Sequence, residues 1–272
     1  MSSINGIDNI KFDYEFSNSL YYRNSIFFSI IFFIIYKKSS YITENFFGEL
    51  VKKAYTTLTE KKKLEWDQRV VSMIHAFLVL PFCIISAVES FKYGDIFYFQ
   101  NDSLLMVLSI SSGYFIWDLI ICYKDPKLVG TPMIIHAIMG LSSNIYVALP
   151  HGRPCFVPIV AILLITEIST IPLNMKGFIQ VVNSKSKYYN WSLGAFVITF
   201  LVSRCIIGLP FDIYLVYGCI QRWDVFPMDK SLVFITECGI QFFLNSYWSF
   251  LLIKKLYQTY LNPIPNHKKN ED

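Results

Sequence analysis

Charge is scarce in this chain. Asp, Glu, Lys and Arg make up 16% of its 272 residues, where an average soluble domain carries roughly a quarter. The shortfall lies in long apolar blocks, with Lys and Arg clustered between them, and that pattern excludes an ordinary soluble domain. A net charge of only +4 is too small for a strongly basic nucleic-acid binder, so no nucleic-acid partner is expected. The six cysteines contain no C-x-x-C pair, which excludes a zinc ribbon or a dithiol redox motif and leaves buried free thiols as the expectation. H-x-x-H spacing is missing as well, and neither a metal nor a cofactor is expected. There is no internal repeat. The first apolar core follows a polar, acid-containing lead without a small-residue cleavage site, so it reads as an anchor and not as a cleaved signal peptide.

What is present is apolar and aromatic: 54% hydrophobic residues, including 24 Phe, 18 Tyr and 5 Trp, which excludes disorder. A bilayer core needs roughly 20 mostly apolar residues in a helix. Seven stretches approach that length: 20–36, 70–90, 103–123, 128–149, 155–175, 191–218 and 231–257. The fold class is therefore an all-α integral membrane protein, a bundle of about seven transmembrane helices. The first stretch is interrupted by Arg23 and Asn24, which leaves an interfacial helix open as its alternative.

Basic residues set the orientation, because cytosolic connections retain them. Lys37, Lys38, Lys52, Lys53, Lys61, Lys62, Lys63 and Arg69 separate the first two spans. Alternate later connections hold Lys124, Lys127, Lys176, Lys185, Lys187, Lys254, Lys255, Lys268 and Lys269, making seventeen on one side. Six stand on the other: Lys11, Arg23, Lys92, Arg153, Arg222 and Lys230. The reading is a lumenal or outside N-terminus and a cytosolic C-terminus, with segment 52–69 cytosolic and turn 151–153 lumenal.

Ionisable residues inside a bilayer are costly and invite functional hypotheses. Counting from the span ends, His75, Asp118, His136 and Glu167 fall in one cytosolic layer, and Arg204, Asp212, Glu237 and Gln241 in a middle-to-lumenal one. Helical spacing aligns His136, Gly140 and Asn144; Glu167, Thr170 and Asn174; Arg204, Gly208 and Asp212; and Glu237, Gln241 and Asn245. Such stripes face a bundle interior, either as packing devices or as a site. In the first layer, His136 or His75 is a candidate general base with Asp118 or Glu167 orienting the imidazole. Arg204 with Asp212 or Glu237 reads most simply as a buried ion pair.

Four segments carry a family resemblance. Trp66-Asp67-Gln68-Arg69-Val70-Val71-Ser72-Met73-Ile74-His75-Ala76 resembles the W-x-x-R-x-x-S-x-x-H-A opening of the TLC domain, the family named for TRAM, LAG1 and CLN8. Gly113-Tyr114-Phe115-Ile116-Trp117-Asp118 resembles its G-Y-F-x-x-D. Ile135-His136-Ala137 falls where the family carries a histidine or a histidine pair. Thr166–Asn174 resembles E-x-S-T-P-x-x-N, with Pro172 one place late. The overall pattern is similar to the transmembrane protein 56-like branch, also called TLC domain-containing protein 4.

The resemblance implies a TLC domain of six helices over 61–260, preceded by a tail, first helix and basic loop (1–60) and followed by a cytosolic tail (261–272). It implies an endoplasmic-reticulum or other endomembrane location and a role in lipid homeostasis. Ceramide synthases in the wider family use an adjacent histidine pair; here Ala137 follows His136, so the expectation leans to a non-enzymatic protein. That protein would bind or regulate a membrane lipid through an intramembrane pocket of Arg69, Ser72, Asp118, Glu167, Asn174 and Arg204. The alternative is an N- or O-acyltransferase that takes acyl-CoA and uses His136 or His75 as base. A seven-helix receptor is disfavoured, because Ile121-Cys122-Tyr123-Lys124 stands where Asp-Arg-Tyr would end the third span.

Overall fold

The computed structural model describes residues 18–93, 96–124, 126, 130–149 and 155–260. Among these residues all regular structure is helical. The helices are α1 (Asn18–Phe46), α2 (Glu49–Thr56), α3 (Glu60–Tyr93), α4 (Asp102–Lys124) and α5 (Thr131–Val147), then α6 (Val157–Leu164), α7 (Thr170–Asn183), α8 (Lys187–Phe200), α9 (Leu209–Gln221) and α10 (Met228–Tyr260). A 3-10 segment, Ile165–Ser169, joins α6 to α7, and a π-helical segment, Leu201–Gly208, joins α8 to α9.

The described residues of each of the seven expected spans are mostly helical. Among the described residues, five helical runs are long and apolar enough to cross a membrane: Ser19–Phe46, Glu60–Lys92, Asp102–Lys124, Val157–Asn183 and Lys187–Gln221. The two expected spans outside that set have physical reasons. Helix α5 is only 17 residues long, and α10 dilutes its apolar residues with Glu237, Gln241 and Asn245. The apolar side chains that face outward along α1, α3 and α10, such as Ile30, Phe77 and Phe243, are the surface a lipid environment requires.

The first span differs from its expected form. Arg23 and Asn24 do not break it: α1 runs 29 residues without interruption, and it packs along α4. Its inner face is small and polar, with Tyr21, Ser25, Ser29, Phe32, Ser39 and Thr43 buried. Small residues let membrane helices approach closely. Tyr21 and Ser112 share a hydrogen bond of 2.6 Å, and a Cβ at Gly113 would stand 2.7 Å from the Ser29 backbone nitrogen. Arg23 remains exposed on the outer face.

Helix α4 is the centre of the bundle, in contact with α1, α3, α5 and α6. Its start is specified locally, since Asn101 Oδ1 accepts the Leu104 N–H at 2.8 Å as an N-cap, and the Asn101 amide also meets Glu89. Acidic Asp102 and basic Lys124 complement its dipole. Helices α9 and α10 pair on the flank, and α10 returns against α5.

Prolines mark where the helices change pitch. Pro172 has no N–H for the Ile168 carbonyl, and the preceding segment tightens to 3-10; Pro210 has none for Ile206, and the preceding segment widens to π. Pro81, by contrast, sits inside an unbroken α3.

Candidate functional site

The π segment carries Arg204 and the 3-10 segment carries Glu167. Wide or tight turns rotate side chains off the regular helical phase, which is why such turns recur at functional positions. Here they bring the two charges together. Arg204 Nη2 lies 3.5 Å from Glu167 Oε1, with both side chains only 10% exposed. Arg204 Nε donates to Ser169 Oγ and Nη1 to Asn245 Oδ1, each at 3.3 Å. Thr170 Oγ1 donates to the second oxygen of Glu167 at 2.7 Å, and the Phe200 ring lies 5.4 Å from the guanidinium carbon. A buried pair with its remaining donors and acceptors satisfied is the arrangement that tolerates desolvation.

This corrects the expected pairing of Arg204 with Asp212 or Glu237. Asp212 accepts from Gln241 Nε2 at 3.3 Å, and Glu237 accepts from Ser142 Oγ at 2.7 Å. The expected separation of Glu167 and Arg204 into two layers is corrected with it.

The ion pair borders a narrow cleft between α5, α6 and α10 with a cavity volume of about 70 Å³. Apolar and aromatic side chains form its walls, among them Phe115, Val160, Phe234, Leu244 and Trp248. The polar side chains His136, Glu167, Arg204, Glu237, Gln241 and Asn245 stand along it. From Trp248 to Lys230 it follows α10 for 18 residues, about 27 Å of helix and close to a bilayer core in length. Phe156 lines the Lys230 end. It holds the left-handed conformation (φ 67°) as N-cap of α6, which is strained for an aromatic residue, and it is fixed by a 4.3 Å stack on Phe234 and a 2.7 Å bond from its N–H to the Phe97 carbonyl.

The two histidines occupy different places. His136 lines the cleft, its ring 5.8 Å from Phe115 and 5.8 Å from Trp248. His75 is fully buried behind Phe115, stacked on Tyr114 at 4.0 Å, with Nε2 3.5 Å from Ser111 Oγ. The Phe115 ring neighbours both, 6.1 Å from His75 and 5.8 Å from His136. Glu167 is the electrostatic neighbour of both imidazoles and of Asp118, yet its oxygens are engaged by Arg204 and Thr170, so it orients neither ring by a hydrogen bond.

Of the pocket residues expected from sequence, Glu167 and Arg204 line the cleft. Ser72 is a polar neighbour of the Tyr114 hydroxyl, on the ring that stacks on His75. Asp118 stands beyond that stack, half-buried on α4. Arg69 donates to Asn174 Oδ1 at 3.4 Å in a separate cluster at the basic end of the bundle. Among the described residues, no three His, Cys, Asp or Glu side chains gather closely enough to ligate one ion. Ser169, Asn245 and Trp248 are additions. The stripe of Gln241 and Asn245 pointed to that face of α10, and Trp248 continues it three residues on.

A multi-pass bundle of apolar helices with a charged network inside it defines an integral membrane protein. The family is also defined: residues 65–254 match the TRAM, LAG1 and CLN8 model of the TLC domain, and the chain belongs to that family. It is 30% identical over 221 residues to topoisomerase I damage affected protein 4 of Saccharomyces cerevisiae, covering 78% of this chain and 76% of that one. It is 25% identical over 230 residues to human TLC domain-containing protein 4, covering 82% and 85%. Similarity to the Xenopus laevis TLC domain-containing protein 4-A is 24% over 212 residues, covering 75% and 80%. The branch named for that protein is the one the motifs resemble.

Proposed function

We propose that this TLC-domain protein binds a membrane lipid in the cleft between α5, α6 and α10, and so takes part in lipid homeostasis in the endoplasmic reticulum or a related endomembrane. The observation that carries the reading is the cleft itself: an apolar, aromatic wall of lipid length beside a polar network whose central charges are already neutralised. An acyl chain desolvates against Val160, Leu164 and Leu244 without stranding a charge, while His136, Gln241 and Asn245 offer polar contacts to ester or amide groups. The test is photo-crosslinking with a diazirine-tagged phospholipid in the full-length protein. The native chain is expected to label on α5 and α10, and Ser143→Phe, which fills the cleft, to lose most of that label. Equal labelling of both chains would sink the proposal.

Acyl transfer from acyl-CoA is the second reading, and what favours it is the exposure of His136 to the cleft. His136 would then be the base, with His75 acting at most through the Tyr114 and Phe115 rings. If purified protein in lipid moves no labelled acyl group from acyl-CoA to any lipid extract, this reading fails and lipid binding stands.

A further inference from the structure

The cleft leaves one motif residue unexplained. Arg69 stands at the basic end of α3, and the fold fixes it there: its guanidinium lies against Gly177 of α7, so close that a Cβ at 177 would stand 2.8 Å from its Cζ. One arm donates to Asn174 Oδ1 at 3.4 Å. Asn174 is itself only 4% exposed, and its Nδ2 has no acceptor. Lys176, on the same helix, is near enough to Arg69 and to Lys255 of α10 for the cations to repel one another. Glu65, a turn earlier on α3, is the acidic group whose field reaches Arg69. Among the described residues, neither Arg69 nor Lys176 meets a carboxylate within ion-pair distance.

Helices α3 and α7 thus bring positive charge together, beside a buried N–H that lacks a partner. Converging like charges are unfavourable without an anion between them. We propose that this cluster is a phosphate-binding site. A guanidinium fork, an amide N–H and an ammonium together match the oxygens of a phosphate group, and basic pockets between membrane helices at headgroup height are where anionic headgroups dock. Asn174 follows Glu167 by seven residues, and Lys255 follows Trp248 by seven. The cluster therefore stands about 10 Å beyond the ion pair and the basic mouth of the cleft. The inference rests on the lipid-binding reading and narrows it to a ligand with an exposed anionic phosphate, whose chains enter the cleft below. Two sources share that chemistry, the headgroup of an anionic phospholipid and the phosphates of a soluble coenzyme A thioester.

The test titrates the full chain in detergent with dioctanoyl phosphatidic acid, dioctanoyl phosphatidylcholine and coenzyme A. The native chain is expected to prefer phosphatidic acid over phosphatidylcholine by at least about tenfold. Arg69→Gln and Lys176→Gln are each expected to erase that preference. Lys176→Gln changes a half-buried side chain and keeps the test valid if Arg69→Gln does not fold. Gly177→Ala keeps every charge but displaces the guanidinium, and is expected to weaken the preference several-fold. Ser143→Phe should weaken both lipids alike. A native chain that binds both lipids equally, or a Lys176→Gln chain that keeps the native preference, removes the phosphate site and leaves the lipid cleft intact. If neither lipid binds, the cleft reading falls; coenzyme A binding that still depends on Arg69 and Lys176 would then keep the phosphate site and assign its source to the soluble ligand.

Discussion

At the scale of single residues, the energetics concentrate on Glu167 and Arg204. Their attraction in a low-dielectric interior offsets the cost of burying both, but neither is tolerable alone. Glu167→Gln leaves a buried guanidinium without its counter-charge and is expected to destabilise the protein by about 3–5 kcal/mol, read as a lowered midpoint of thermal unfolding in detergent. Replacing both, Glu167→Leu with Arg204→Met, is expected to recover most of that loss. A double variant no more stable than the single one would mean that the surrounding bonds, and not the charge pair, hold the site. Glu167 was legible in the sequence through its motif and its place in a span, and Arg204 through its isolation in one. Their pairing was not. Depth counting assumed the α-helical rise of 1.5 Å per residue, whereas residues of the 3-10 segment each rise about 2.0 Å, which carries Glu167, its third residue, about 1–1.5 Å deeper. Asn101 illustrates the reverse case, a sequence motif with a different structural use: it heads a formal glycosylation acceptor, Asn101-Asp102-Ser103, but its side chain caps α4.

At the scale of elements, pitch and close approach do work that apolar spans do not reveal. The Leu209 N–H reaches back to the Arg204 carbonyl, five residues away, and Pro210 removes the donor that would otherwise compete for the α register. Pro210→Ala is expected to let 201–208 relax towards α-helix, with hydrogen exchange there slowed at least about tenfold and Arg204 rotated off Glu167; unchanged exchange would mean that the packing of Cys205 against Ser249, 2.7 Å apart, dictates the π turn instead. The α1–α4 contact is the second case. A side chain at Gly113 meets not a flexible neighbour but the backbone of α1, 2.7 Å away at Ser29. Gly113→Ala should therefore cost about 1–3 kcal/mol by overpacking. Gly194→Ala, with nothing within 4 Å of its Cβ, should cost little, and equal effects of the two would sink the close-packing account. The existence of α1 was legible from its apolar run; its continuity past Arg23 was not. Its serine face reads as polar until a glycine-bearing helix is seen against it.

At the scale of the whole molecule, the asymmetry of charge is the main guide to direction. The ends of α1, α4, α7 and α10 and the starts of α3, α5 and α8 are the ends that alternate spans present to one face, and the described lysines of the basic connections follow them. The proposed phosphate site of Arg69, Asn174 and Lys176 belongs to that face. Turn 151–153 and the tail lysines, Lys268 and Lys269, lie outside the described residues, so the direction is best tested on positions in the described helices and turns. Lys53, exposed on α2, and Asp224, exposed between α9 and α10, represent the two faces. Five native cysteines are buried and Cys205 is half-buried, so a membrane-impermeant maleimide should read an engineered thiol against a low background. In sealed microsomes, Lys53→Cys is expected to label from outside the vesicle, and Asp224→Cys only after the membrane is opened with detergent. The opposite pattern would turn the bundle over. Arg69 and Lys176 would then face the lumen, where no cytosolic acyl-CoA could reach them, and an anionic headgroup would remain as the phosphate source that fits the cluster.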